Sequence, residues 1–284
     1  MRALTLIKRL TPAIPEQQAW WLLSRLTGRT QAKLLAMDDL MLTAEQVEQL
    51  EEWLHDIAVD AKPIQYILGT VFFGSLEMAV EPPVLIPRPE TEEWVIELIN
   101  DLKALKNEPL KILDLCTGTG CIGLSLAEAF LNSKVVVSDI SEDALLLAEK
   151  NKRLNAVANV TIVPSDLFEY VEQYGPYDLI VANPPYIPSG MFQSLDRSVK
   201  EWEDRKALLA GDDGLSVIKK IIERSSKNIK PDGVLAAQNK PVLVFEIDCT
   251  QGDAVRQLLV EAGFATVTIK QDSAGRDRVA LACL

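Results

Sequence analysis

The chain has 284 residues, 48% of them apolar, which is enough to bury one large core and a smaller one. A formal charge of −12 argues against a protein whose affinity comes from neutralising phosphates, so no direct nucleic-acid binding is expected. Four cysteines without a C-x-x-C pair and a single histidine, His55, argue against a metal site and a disulfide framework, and for a reducing compartment.

The opening MRALTLIKRL is basic, with no acid before Glu16. It reads equally as a first helix and as the remnant of a mitochondrial targeting segment; no membrane-spanning run or signal-peptide pattern is expected. Residues 1–70 read as a small helical domain. EQQAWWLLSRL has an apolar face stopped by Gly28, and Thr43-Ala44-Glu45-Gln46 has capping-box spacing. Pro63 opens a short turn that Gly69 ends. Trp20, Trp21 and Trp53 read as core, with a partner surface as the alternative. Residues 71–90, with Gly74 and four prolines, read as a hairpin-like linker into a helix near Thr91. In residues 91–284, KILDLC, KVVVSDI, VTIVPSD, YDLIVANPPY, GVLAAQ and PVLVFEI read as strands, most of them separated by helices. The class is therefore α/β, a mostly parallel sheet covered on both faces, with a C-terminal antiparallel hairpin around Ser273-Ala274-Gly275.

The first of these strands runs into Asp114-Leu115-Cys116-Thr117-Gly118-Thr119-Gly120-Cys121-Ile122-Gly123, and Asp139 ends the next. G-x-G-x-x-G followed by an acid fits a nicotinamide dinucleotide site, the reading of a dehydrogenase. Asp114, however, puts a carboxylate where a pyrophosphate would lie. The same charge suits S-adenosylmethionine, which carries an ammonium group and a ribose but no phosphate. Asp139 can accept both ribose hydroxyls, Asp166 an adenine amino group, and Leu167 or Phe168 can cover the ring. A helix cap followed by core residues is the competing account of Ser165 to Phe168.

Asn183-Pro184-Pro185-Tyr186 follows the strand YDLIVA, at the same carboxyl edge. The prolines fix φ and remove N–H donors, leaving carbonyls free; Asn183 adds another acceptor, and Tyr186 a flat face. Such a site accepts from a planar amino group, on a base or a carboxamide. Acceptors that draw both hydrogens out of plane would favour a pyramidal nitrogen with its lone pair aimed at a sulfonium methyl.

On these residues the chain resembles the release-factor glutamine methyltransferases, the HemK-like family, over nearly its whole length. Ile86-Pro87-Arg88-Pro89-Glu90-Thr91-Glu92 looks like the family's linker signature, Asp114 to Gly120 its cofactor loop and Asn183 to Tyr186 its substrate tetrapeptide. Leu209 to Leu215, Gln251-Gly252 and Ala274 to Arg278 also correspond. The resemblance implies a seven-stranded Rossmann-like methyltransferase sheet and an N-terminal domain that docks the release factor. It further implies methylation of the glutamine amide in a Gly-Gly-Gln motif, with S-adenosylhomocysteine as product and no metal. Cys116, Thr117, Gly118, Thr119 and Gly120 would then wrap the donor, and Asn183 with the Pro184 backbone would hold the amide. Cys116 departs from the usual first glycine of the loop, Leu167 from an aromatic, and Asp248 from a common glycine. The first departure looks like the fungal mitochondrial branch, implying a mitochondrial matrix enzyme, with the bacterial cytoplasm as the alternative. An adenine-specific nucleic-acid methyltransferase would use a similar tetrapeptide on an exocyclic amine, but it must extrude a base and grip a duplex, which the acidic balance disfavours.

Overall fold

The computed structural model describes residues 3–10, 14–37 and 39–284. Its helices begin with α1 (Ala3–Leu10), α2 (Glu16–Thr27), α3 (Gln31–Leu35), α4 (Ala44–Ala58) and α5 (Ile64–Leu68). A hairpin of β1 (Thr70–Phe73) and β2 (Leu76–Ala79) then leads to α6 (Pro89–Asp101). The alternating part runs β3 (Lys111–Leu115), α7 (Cys121–Ala129), β4 (Lys134–Asp139), α8 (Glu142–Leu154), β5 (Val160–Pro164) and β6 (Leu179–Ala182). After the short helices α9 (Arg197–Lys200) and α10 (Arg205–Leu208) come α11 (Ser216–Asn228), α12 (Val234–Ala237) and β7 (Leu243–Glu246). The chain closes with α13 (Gly252–Glu261), β8 (Thr266–Gln271) and β9 (Asp277–Cys283).

Two compact units result, one of α1–α5 with residues Asp196–Trp202, the other of Val71–Leu195 with Glu203–Leu284. In the helical unit Ile7, Leu10, Trp20, Leu23, Leu34, Leu50 and Ile64 form a core, and Trp53 packs partly buried against it. Trp21 is 43% exposed, so the three tryptophans expected in the core divide. Both halves of the capping box form: Gln46 N donates to Thr43 Oγ1 (3.2 Å) and Thr43 N to Gln46 Oε1 (3.1 Å). Gly28 and Gly69 take left-handed conformations that stop α2 and α5. Residues Asp196–Trp202 join this unit through Trp202, whose Nε1 donates to Asp60 O (2.7 Å) while the Lys62 ammonium lies over its ring. Met1 and Arg2 of the basic opening lie outside the described residues, and Ala3–Leu10 is helical.

The second unit is built on a seven-stranded sheet of order β5-β4-β3-β6-β7-β9-β8. Strands β3 to β7 are mutually parallel, while β9 runs antiparallel to β7 and to β8. The parallel strands are apolar on both faces because helices cover both. GVLAAQ, expected to be a strand, is not one: Val234–Ala237 is a helical turn closed by Ala237 N on Gly233 O (2.9 Å). The apolar run suits either state, and the place beside β6 is taken by Leu243–Glu246.

From β3 the chain winds one way through β4 and β5, then returns to the other side of β3 for β6 and β7. The connections therefore diverge above the carboxyl ends of β3 and β6, which leaves a crevice where open α/β sheets bind ligands. Close helix packing beside this crevice needs Gly123 on α7. A Cβ there would stand 2.3 Å from Val137 Cγ1 and 2.9 Å from Asp114 Oδ2. Gly123→Ala is expected to cost about 1–3 kcal/mol by overpacking. Thermal denaturation should show Tm lower by roughly 3–10 °C for a unit of this size.

Candidate active site

The crevice holds a cavity of about 570 Å³, within the range of about 300–1,000 Å³ of pockets that enclose a small organic ligand. Its floor is the loop after β3. Asp114, fully buried, accepts from Thr117 Oγ1 (2.5 Å) and Gly123 N (2.9 Å) through Oδ2, and so ties the loop to the first turn of α7. Thr117 N bonds Ser138 O (3.0 Å), fastening the same loop to β4. Cys116 and Gly118 have φ of +56° and +54°. At Gly118 a Cβ would meet nothing nearer than Val84 Cγ1 at 4.0 Å, so that face of the loop opens on the cavity.

Asp139 stands on the wall with one backbone donor on each oxygen, Gly118 N on Oδ2 and Ser141 N on Oδ1 (both 2.9 Å). Burial pushes its carboxyl up against those donors. Both retain further lone pairs that can accept from a diol. Exposed Asp166 and half-buried Leu167 also line the cavity. Ser165 does not cap a helix: its Oγ donates to Leu167 O (2.8 Å), accepts from Tyr170 N (3.0 Å), and holds Leu167 at φ +50°. Carboxylates from Asp139, Glu142, Asp143, Asp166 and Asp204 outnumber the lysines, Lys206 and Lys220, on the lining. That balance favours a cationic ligand over a pyrophosphate.

Asn183 and Pro185 line the opposite side, whereas Pro184 is buried. Asn183 Nδ2 donates to Thr91 Oγ1 (3.3 Å). Tyr186 departs from the expected stacking face. Its hydroxyl turns inward to Glu246 Oε1 (3.2 Å), a buried acceptor, and its ring is not on the lining. Asp114 and Gly120 are likewise behind the loop, so Asp114 touches the cavity only through its charge and the loop it holds. Its Oδ1 is, among the described residues, the buried side-chain oxygen without a hydrogen-bond partner.

Residues mostly off the lining hold the walls in place, and of these the sequence reading passed over Glu203, Asp204 and Glu246. Arg88 Nη2 donates to both Glu203 oxygens, Oε1 (2.7 Å) and Oε2 (2.5 Å), and Asp204 N donates to Pro83 O (2.8 Å), which fixes the linker across from the loop. Gln251 Nε2 donates to Tyr186 O (3.0 Å) and Gly214 O (3.2 Å), joining the tetrapeptide to the 209–215 segment. Glu246 accepts from Thr91 Oγ1 (2.6 Å) and Trp94 Nε1 (3.0 Å). An acid ending the strand PVLVFEI was the visible signal for Glu246, by the same carboxyl-edge rule that singled out Asp139.

Comparison with known proteins decides the family. The PrmC N-terminal domain family matches residues 5–69 and the Methyltransferase small domain family residues 98–195. The chain is 36% identical to the release factor glutamine methyltransferase of Escherichia coli, over 94% of this chain and 91% of that one. It is 34% identical to the Thermodesulfovibrio yellowstonii protein of the same name, over 87% of each. The chain belongs to the release factor glutamine methyltransferase family. Among solved structures, the hMettl16 catalytic domain with an RNA hairpin shares the fold at TM-score 0.53 and 17% identity, over 95% of this chain and 91% of that one. A T. thermophilus 16S rRNA methyltransferase with AdoMet and guanosine does so at 0.51 and 17%, over 75% of this chain and 49% of that one.

The residues present fit S-adenosylmethionine, the methyl donor of this family. An open glycine face, a diol acceptor and a net negative lining suit its shape and charge, and the orphaned Asp114 Oδ1 adds to that field. Cys116 does not compete for a methyl group: burial, then the charges of Asp139, Asp114 and Asp166, push its thiol well up and keep it protonated.

Burial raises Asp114 from 3.8 to about 7, with Asp139 adding to the shift. A carboxyl whose folded pKa is raised stabilises the fold fully below its unfolded pKa, and that contribution is lost as pH climbs through the folded one. Between about pH 4 and 7, Asp114 therefore makes the ligand-free protein less stable as pH rises. Tm measured across that window should fall more steeply in the unmodified chain than in Asp114→Asn, and parallel curves would contradict the assignment.

Proposed function

We propose that the chain methylates the side-chain amide nitrogen of the glutamine in the Gly-Gly-Gln motif of a peptide chain release factor. The observation that carries this reading is Asn183, at the carboxyl end of β6 on the cavity wall, with its amide nitrogen engaged by Thr91 and its carbonyl oxygen left to accept. S-adenosylmethionine, when bound, supplies a methyl group activated on a sulfonium sulfur and leaves as S-adenosylhomocysteine. Cys116, Thr117, Gly118 and Thr119 form its cradle under the tether of Asp114, with Gly120 turning the loop behind them. Asp139 receives the ribose hydroxyls, with Asp166 and Leu167 at the adenine. Asn183 Oδ1 and the Pro184 carbonyl accept the two hydrogens of the glutamine amide. Pro185 and Tyr186 hold those acceptors rigid, the latter through Glu246.

An amide nitrogen is a poor nucleophile because its lone pair is delocalised into the carbonyl. Acceptors placed before the reaction lower the cost of pyramidalising it, and alignment does the rest. Once the N–C bond forms, the nitrogen is strongly acidic and its proton passes to solvent without a dedicated base.

The protein substrate is supported by the family and by the charge of −12, which is unsuited to a duplex. Release-factor docking is assigned to the helical unit, where Trp21 (43% exposed) and Met41 (80%) offer apolar surface. Cys116 supports a mitochondrial matrix enzyme; the bacterial relatives support the bacterial cytoplasm as the alternative. Among the described residues no helix is long and apolar enough to cross a membrane.

Incubation with a release factor and labelled donor should place one methyl on the Gly-Gly-Gln glutamine by mass spectrometry, and a label elsewhere would refute the reading. Asn183→Ala should lower kcat by about 100-fold or more, the scale of losing one preorganised polar partner, while calorimetry shows S-adenosylhomocysteine still bound. Trp21→Ala should raise KM for an intact release factor by roughly 10-fold, as losing a buried aromatic contact does, with little change on a short Gly-Gly-Gln peptide.

A further inference from the structure

An asparagine amide has nearly the same shape after a half-turn that exchanges its oxygen and nitrogen, so only its hydrogen bonds decide which end faces a ligand. For Asn183 the choice is consequential. With the oxygen toward the cavity it accepts from a substrate amide; turned over, it would set N–H donors against N–H donors. The decision is made by residues outside the tetrapeptide.

Thr91 Oγ1 carries one proton, and at 2.6 Å from Glu246 Oε2 it donates that proton there. Only lone pairs remain for Asn183, so the group that faces Thr91 has to be the nitrogen, as observed at 3.3 Å. Glu246 Oε2 is in turn obliged to accept. The indole Nε1 of Trp94, 3.0 Å away, is a donor and nothing else. Burial pushes the Glu246 carboxyl up, opposed by its bonds to Thr91, Trp94 and Tyr186 and by the charge of Arg278. The direction of the chain holds with Glu246 ionised, and equally with a proton on Oε1 toward Tyr186, since Oε2 then still offers only lone pairs to Thr91 and Trp94. Glu246 is 1% exposed and Thr91 also 1%, so water has little access with which to scramble the order.

We propose that Thr91 and Glu246 are positioning residues that set the polarity of the Asn183 amide, through the chain Trp94 to Glu246 to Thr91 to Asn183. The inference rests on the reading that Asn183 receives the glutamine amide. It assigns Thr91 of α6 and the acid ending β7 a part in methyl transfer, although neither need touch the reacting atoms.

The test is a double-mutant cycle. Thr91→Val keeps shape and removes the hydroxyl; Asn183→Asp replaces the amide by a group with the same acceptor at both ends, for which polarity has no meaning. Thr91→Val alone should lower kcat on the release factor by roughly 10- to 100-fold, the range of a lost polar contact to a reacting group, while KM and the affinity for S-adenosylhomocysteine change by less than about 3-fold. Thr91→Ser, which restores the hydroxyl, should recover most of that loss. On the Asn183→Asp background, Thr91→Val should change kcat by less than about 3-fold. Equal losses on both backgrounds, or none on either, would overturn the relay while leaving glutamine methylation standing. A wild-type product methylated elsewhere than on the glutamine amide would overturn both. A purely structural role for Thr91 would move Tm and donor affinity equally on the two backgrounds, and would likewise overturn the relay.

Discussion

A carboxyl group taken out of water draws donors to itself, and three such groups hold this site in shape. Asp114 binds the loop after β3 to the start of α7. Glu203 clamps Arg88 and accepts from Ile86 N, pinning the linker. Glu246 gathers Thr91 and Trp94 from α6 and Tyr186 from the tetrapeptide. Glu203 and Glu246 join segments far apart in sequence, whereas Asp114 closes its own loop on residues three and nine positions away. Removing a donor from any of them would leave a buried charge short of partners, which costs far more than a surface contact. The walls are therefore defined to within hydrogen-bonding tolerance before any ligand arrives.

That rigidity suits the chemistry proposed. Methyl transfer from a sulfonium to an amide asks for no strong base and no covalent intermediate. It asks for a fixed nitrogen, acceptors on its hydrogens and a donor methyl in line. A site rich in carbonyls and carboxylates, with its thiols held protonated, supplies acceptors without competing nucleophiles. Pro184 and Pro185, and the Gln251 bonds to Tyr186 O and Gly214 O, keep the tetrapeptide from relaxing.

The glycine loop shows how one backbone pattern serves different ligands. Its left-handed positions at Cys116, Gly118 and Gly120 make a tight strand-to-helix turn, which a dinucleotide would also need. Charge separates the two cases. Acids on and behind the lining oppose a pyrophosphate and favour a sulfonium with an ammonium group. Cys116 takes φ +56° where a glycine would do so without strain, and the loop bears this because Thr117 is tied on both sides.

The sequence by itself determined the local and periodic features: the capping box at Thr43, the stops at Gly28 and Gly69, the apolar strands, and the acids and amide at strand ends. These follow from spacing along one segment, and the carboxyl-edge rule then places Asp139, Asp166 and Asn183 around one crevice. GVLAAQ was misread because a four-residue apolar stretch has no period to test, and pairing with β6 went to Leu243–Glu246. Tertiary structure alone decided that Tyr186 faces Glu246, that Asp114 stands behind its loop, and that Thr91 reaches Asn183 from 92 residues away. A hydrogen bond between distant segments depends on where packing brings them, and no pattern within either segment records that.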